Sequence, residues 1–273
     1  RHERIKNILA SGELGKVVSV SFDWYLDTQH GADYFRRWHR LQSKSGSLLV
    51  HKSTHHFDLM NWWLDADPVE VSARGTLARY GKRGPFRHTH CRTCPHRSRC
   101  DFHFDITKNA RLMQLYVGPE AVDGYQRDGC VFRDDVDIYD SMTAIVGYSN
   151  GVVMNYSLNA FMPYEGYSLL FVCEKGTLAV RLQERLPGGD ETELVITRSF
   201  SKEPPSVERP RASEGHGGGD ERLRDVIFRG VTPPRYLALP GARAGALSCL
   251  TGIAARKSIQ AQRSVKISEL VRI

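Results

Sequence analysis

With 273 residues, 41% of them hydrophobic, the chain can bury one large core or two small ones. Its apolar runs fall far short of the roughly 20 residues a bilayer crossing needs, and no charged-apolar-small leader opens it, which reads as a soluble, cytoplasmic protein without a membrane partner. A net charge of +7 arises from 38 basic residues scattered among 31 acidic ones, with no Lys/Arg tract and no recognition motif, so no nucleic-acid partner is expected.

Arg1 stands where a methionine would start a chain, and the first residues already read as an amphipathic helix, so the sequence is expected to be a piece of a longer polypeptide. Ile5, Ile8 and Leu9 share one helical face, and Ser11-Gly12 with Gly15 stops that helix. Val18, Val20, Phe22, Trp24 and Leu26 alternate as in a strand with one buried face. After the aromatic and basic loop Tyr34–Arg40, Ser45-Gly46-Ser47 is expected to lead into a short apolar strand and then a helix with Leu59, Trp62, Trp63 and Leu64. Pro68 begins another strand, with Val69 and Val71 expected to face one way.

Residues from about 76 to 135 are polar and rich in histidine and cysteine, and read as an insertion. Residues 142–148, the Ser149-Asn150-Gly151 turn and the alternation Val152, Met154, Tyr156, Leu158 form a hairpin, because Asn-Gly suits a two-residue turn between strands. A second hairpin joins Tyr167–Cys173 to Thr177–Leu182, and Thr192–Thr197 adds a strand. Residues 201–219 read as a loop; Asp220 is expected to cap a helix that runs to Phe228, and a last helix covers about 241–262. The order predicts an α+β domain: a large, mainly antiparallel open sheet with helices on one face and a Cys/His-rich insertion. A strand-GxGxxG-helix is missing, and the Gly215–Gly219 run follows a loop rather than a hydrophobic strand.

Chemistry concentrates in His51-Lys52-Ser53-Thr54-His55-His56. If a helix begins near Ser53, four titratable groups meet at its N-terminus, where the helix dipole disfavours imidazolium and crowding favours a neutral lysine. Such groups suit abstraction of a hydroxyl proton, so Lys52, His51 and His55 are the catalytic candidates and His56 a substrate contact. One or two of the histidines could instead cap the helix or bond within the core. Arg36, Arg37 and Trp38 could hydrogen-bond to and stack on a sugar or carboxylate, or form a solvated loop. His216, beside Gly217–Gly219, could close over a ligand.

Cys91-x-x-Cys94-Pro and Cys100, with Cys130 farther on, offer four thiolates to one structural zinc. An iron–sulfur cluster, a disulfide or unligated thiols remain open alternatives. A four-cysteine site leaves no position for water, so zinc here would pin the insertion rather than hydrolyse a substrate.

The stretch Ser45-Gly46-x-Leu48-Leu49 to His55-His56-x-Asp58-Leu59-x-x-Trp62-x-Leu64 resembles the active-site segment of the glucose-fructose oxidoreductase / inositol dehydrogenase / rhizopine-catabolism (Gfo/Idh/MocA) family. Ile8-Leu-Ala-Ser-Gly-Glu-Leu-Gly-Lys-Val17, Ser157–Phe161 and the Ala244–Leu247 helix extend the likeness over nearly the whole chain. The resemblance puts His55 on the family's catalytic histidine and Asp58 on its helix aspartate, while His51 stands where the family usually has a catalytic aspartate and Lys52 where an apolar residue is common. It implies a glyceraldehyde-3-phosphate dehydrogenase-like sheet and one substrate-binding and oligomerisation domain over residues 1–273. It also implies a Rossmann domain absent from this chain that would hold NAD or NADP and carry a Glu-Lys-Pro motif. The function so implied is oxidation of a sugar, polyol or glycoside hydroxyl, by a homo-oligomer assembled through the sheet face. An NAD-assisted glycoside hydrolase or lyase and a non-catalytic, metal-braced oligomerisation module are the alternatives.

Overall fold

Alternation along the strands decides which side of the sheet is buried. In the computed structural model, which describes residues 1–185, 189–210, 214–237 and 239–271, helix α1 (His2–Ala10) leads into strand β1 (Val17–Asp27). Helices α2 (His30–Arg36), α3 (Gln42–Ser45), α4 (Leu48–His51) and α5 (Ser53–Leu64) follow, and then strand β2 (Pro68–Thr76). Residues 77–140 make short turns, among them α6 (Ala110–Leu112) and α7 (Glu120–Asp123). Strands β3 (Ser141–Tyr148), β4 (Val153–Met162), β5 (Glu165–Cys173), β6 (Gly176–Glu184), β7 (Glu191–Arg198) and β8 (Ser206–Glu208) come next. Helices α8 (Glu214–Phe228) and α9 (Ala242–Ala261) precede a closing strand β9 (Val265–Lys266).

The strands form one sheet in the order β8-β7-β6-β5-β1-β4-β3-β2-β9. Every pairing is antiparallel except β1 with β4. The register sets Phe22 opposite Tyr156 on one side and Leu169 on the other, so inward residues of three strands stack in rows. Val20, Phe22, Met154, Tyr156, Leu169, Phe171, Leu178 and Val180 are nearly solvent-free on that face, where Phe57 and Trp63 of α5 pack on Phe22, Tyr156 and Phe171 and α9 packs along β2. The opposite face carries Ser19, Ser21, Asp23, Asn155 and Ser157, with Ile145, Val153 and Leu170 exposed.

The α+β architecture and the large, mainly antiparallel sheet thus follow the sequence, with corrections at several residues. Val18 and Val69 are exposed where burial was expected, because the pairing shifts between Val17 and Ser19 and between Pro68 and Glu70, and each extra residue turns its side chain outward. Residues 48–51 are helical rather than a strand, since Gly46 at φ 70° and Ser47 at φ 78° turn the chain and Leu48 and Leu49 then bury together. Asp220 lies inside α8, which starts six residues earlier than expected, and the loop before it holds β8. The insertion joins neighbours in the sheet: Thr76 pairs with Ser141, so residues 77–140 leave and rejoin it at one point.

Among the described residues, no helix is long and apolar enough to cross a membrane.

Candidate active site

Helical spacing sorts the histidines of the α4–α5 segment. Ser53, His56, Phe57, Met60, Trp63 and Leu64 point inward and are buried, whereas Lys52 and His55, three residues apart, lie on the flank, with His55 exposed. The two helices are nearly continuous: the Lys52 N–H donates to Leu48 O at 2.9 Å and the His55 N–H to Lys52 O at 3.2 Å. Two close backbone approaches fix the segment against its surroundings. A Cβ on Gly252 of α9 would come within 2.2 Å of the Leu49 carbonyl oxygen, and one on Gly31 of α2 within 2.0 Å of the Ala160 carbonyl.

His56 belongs to the core. Its ring is 1% exposed, stacks on Trp24 at 3.8 Å and bonds through Nδ1 to the Tyr156 hydroxyl at 2.7 Å. The Tyr156 hydroxyl also bonds Ser53 Oγ at 2.9 Å, so it bridges the histidine and the serine. Burial, reinforced by Lys52 and His55, holds its pKa well below 6.5. The expected substrate contact from His56 is therefore corrected: the group anchors the helix start and is shielded from any ligand.

The groups that gather at the flank are Lys52, His51, His39, Trp38, Tyr34 and Trp24. The Lys52 Nζ sits over the Trp24 ring at 5.6 Å. The His51 ring meets His39 edge-on at 4.2 Å and Tyr34 at 5.7 Å, while Trp38 stacks on His39 at 3.8 Å. Burial lowers the pKa of Lys52 most, with Arg185 adding to it and Glu165 opposing. Burial also lowers His51, where His55, Arg37 and Lys52 act in the same direction, and His55, where Lys52 does so and Asp58 opposes. Burial and His51 bring His39 to about 4. The Tyr34 hydroxyl is pushed up to about 12 by burial and by Glu165. Lys52, His39, His51 and His55 are thus bases biased toward their neutral, proton-accepting forms.

A polar network missed in the sequence borders it. His30 Nδ1 contacts Glu165 at 2.9 Å and its Nε2 contacts Tyr34 Oη at 3.1 Å. The Asp27 carboxylate accepts the N–H groups of Gln29 and His30 and a 2.8 Å bond from Arg185. Burial pushes Asp27 up, but these bonds outweigh it and hold its pKa below the usual carboxylate value. These residues come from the end of β1, the start of β5 and the end of β6, so they converge only once the sheet order is known. Tyr34 was visible as part of an aromatic loop, whereas Glu165 and Arg185 gave no local signal.

The other candidates divide. Trp38 joins the cluster, and Arg37 lies beside it, bonded to Tyr125 Oη at 3.4 Å and facing Asp33 at 3.6 Å. Arg36 points away: it is 6% exposed, and its guanidinium bonds to the carbonyls of Phe102 and Gly129 and to Cys91 Sγ inside the insertion. Its expected role as a substrate contact is corrected accordingly. The His216 side chain lies outside the described residues. Cys91, Cys94, Cys100 and Cys130 border one cavity, yet among the described residues no group of three or more His, Cys, Asp or Glu side chains is placed to hold a single ion, so the structure does not support a single zinc there. A separate cavity of about 520 Å³ beside Asp58, Asn61, Trp62 and Arg243 reaches none of the proton-accepting cluster. We place the site at that cluster because its groups can exchange protons.

Residues 6–267 match the family described as "Oxidoreductase family, C-terminal alpha/beta domain". The chain belongs to the Gfo/Idh/MocA oxidoreductase family and has the fold of its C-terminal domain. It is 34% identical to "Putative oxidoreductase YteT" of Bacillus subtilis (strain 168), over 98% of this chain and 67% of that protein. Among solved structures, levoglucosan dehydrogenase in complex with NADH and levoglucosan superposes with a TM-score of 0.59 at 13% identity, covering 96% of this chain and 62% of that one. Aldose-aldose oxidoreductase from Caulobacter crescentus, complexed with glycerol, does so at 0.58 and 14% identity, covering 97% of this chain and 60% of that one. The chain thus spans about two thirds of the length of these relatives.

Proposed function

We propose that this chain is the substrate-binding and proton-handling half of an NAD(P)-dependent oxidoreductase acting on a hydroxyl of a sugar, polyol or glycoside. The observation that carries the reading is Lys52: its ammonium is disfavoured by burial, it rests on the Trp24 ring, and His51 and His55 flank it in sequence. A neutral lysine amine can take the hydroxyl proton of an alcohol, and a pKa brought down toward the working pH makes that transfer efficient. His51 and His55, also shifted toward neutrality, can pass the proton on to solvent. Trp24, Trp38 and Tyr34 offer apolar ring surface and hydroxyl contacts of the kind that hold a sugar.

Among the described residues no strand leads into a glycine-rich turn and helix, and Gly215–Gly219 lies within α8 itself. A nicotinamide supplied from another part of the polypeptide would accept the hydride. The exposed position of His55 agrees with a second wall that comes from outside this chain. The carbohydrate and NADH named for the levoglucosan dehydrogenase structure support the substrate and cofactor classes. Assembly into a homo-oligomer through the uncovered sheet face is part of the same proposal.

The test is to incubate the full-length polypeptide with NAD or NADP and a panel of sugars, polyols and glycosides, and to follow reduced nicotinamide. Net accumulation with at least one substrate is expected. Cleavage of a glycoside without net reduced cofactor would move the assignment to a hydrolase or lyase, and the absence of both would remove the enzymatic reading.

A further inference from the structure

Basic side chains crowd the start of the insertion. Residues 77–100 hold seven Lys or Arg and no Asp or Glu, so a carboxylate partner for any of them must come from elsewhere in the fold. Some find one: Arg87 meets Asp134 at 2.6 Å, and Arg92 meets Glu120 at 2.5 Å and Asp128 at 3.1 Å. Among the described residues, Arg79, Arg83 and Arg99 are paired with no carboxylate. These three line one pocket of about 170 Å³, together with Phe86, Phe102, Phe132 and Asp101.

Each of the three is held in place by contacts that leave its charge uncompensated. The N–H groups of Arg79 and Tyr80 donate to the Asp140 carboxylate at 2.7 and 3.0 Å, which pins the root of Arg79, and its guanidinium lies over the Phe102 ring at 5.7 Å. Arg99 lies over Phe86 at 5.1 Å and bonds to His96 Nδ1 at 3.0 Å. Arg83 stands on a tight turn whose Gly81 N–H donates to Val131 O at 2.9 Å, and its Nε reaches the Leu77 carbonyl at 3.4 Å. Gly84 ends that turn so close to Phe132 that a Cβ would run into the ring.

Rings and carbonyls orient a guanidinium without neutralising it, and three like charges around one small pocket repel one another until an anion enters. Three guanidinium groups against the single carboxylate of Asp101 leave the lining with two net positive charges. A phosphate group, at about −1.5 to −2 near neutral pH, matches that balance, whereas a carboxylate or a sulfate ester brings only one charge. The planar fork of guanidinium N–H donors also suits phosphate oxygens. At roughly 30 Å³ for a water, the pocket has room for several groups of that size, enough for a phosphate and the first atoms of a substituent.

We propose that Arg79, Arg83 and Arg99 bind a phosphate group, as free phosphate or as the monoester of a small molecule. None of the side chains of the proton-accepting cluster lines this pocket, so the site is separate from the one described above.

The test is calorimetric titration of the full-length polypeptide, in a low-salt buffer free of phosphate, with inorganic phosphate, glucose 6-phosphate, glucuronate and glucose. Saturable binding of a phosphate-bearing probe is expected, with glucuronate at least about tenfold weaker and glucose without measurable heat. Tighter binding of glucose 6-phosphate than of inorganic phosphate assigns the site to a monoester; equal or weaker binding assigns it to free phosphate. Arg79→Gln and Arg99→Gln should each weaken binding about tenfold through the loss of a charge-assisted hydrogen bond. Arg97→Gln, which alters an exposed neighbour outside the pocket, should change it less than about twofold. No saturable binding up to about 10 mM, glucuronate bound as tightly as glucose 6-phosphate, or binding unaffected by both pocket substitutions would each overturn the proposal. The titrations contain no nicotinamide and read no turnover, so their outcome is separate from that of the dehydrogenase reading.

Discussion

Tyr156→Phe removes one oxygen from the core and keeps the ring. The lost hydroxyl bonds His56 Nδ1 at 2.7 Å and Ser53 Oγ at 2.9 Å, and Tyr156, Ser53 and His56 are at most 2% exposed. Water has no ready path to the two orphaned groups, and leaving buried polar groups unsatisfied costs roughly 1–3 kcal/mol. Because phenylalanine fills the same volume, no cavity adds to the loss, and a net of about 2 kcal/mol is expected. For a domain of this size that corresponds to a Tm lower by about 4–6 °C. Thermal melts by circular dichroism at neutral pH measure it. A change below about 1 °C would refute the reasoning, since it would mean that the hydroxyl contributes no net bond in the folded chain.

His39 and His56 are buried with pKa values below the ordinary 6.5, so the unfolded chain binds protons that the folded one refuses. Their contribution to stability is whole above pH 6.5 and is lost as pH falls toward the folded values, at about 1.4 kcal/mol per pH unit for each. His2, also brought to about 4 by burial, acts the same way, so urea melts at pH 7.5 and 5.5 should differ by about 4 kcal/mol, and His56→Gln should remove about a third of the difference; a stability independent of pH over that range contradicts the assignment. Gly252→Ala should destabilise by about 2 kcal/mol, although alanine normally favours a helix, because the new Cβ would press on the Leu49 carbonyl; an unchanged or higher Tm would show that α9 can retreat from α4 at little cost.

Local pattern revealed most of the sheet. Asn150-Gly151 between two alternating runs marked the β3–β4 hairpin, and Val152, Met154, Tyr156 and Leu158 are buried as that alternation requires. Val18 and Val69 broke the pattern because a bulge reverses a side chain without leaving a trace in composition. Leu48-Leu49-Val50 read as a strand because four residues are too few for helical periodicity to show. In the site, His51, Lys52 and Trp38 were legible because the titratable and aromatic residues lie close in sequence. Glu165 and Arg185 were not, because they reach His30 and Asp27 only through the placement of β5 and β6 beside β1. His56 and Arg36 show the converse: chemistry-bearing side chains whose burial, set by helix phase and by the insertion, takes them out of reach of a substrate.

The central claim is that Lys52 takes the proton of the reacting hydroxyl. Its most direct test is the kcat of the full-length polypeptide with Lys52→Met, on a substrate that yields reduced nicotinamide. A fall of about 10²–10⁴-fold is predicted, with KM moved only a few-fold and the fold intact by circular dichroism. A kcat within about twofold of the unaltered protein would contradict the account and pass the proton to His51 or His55.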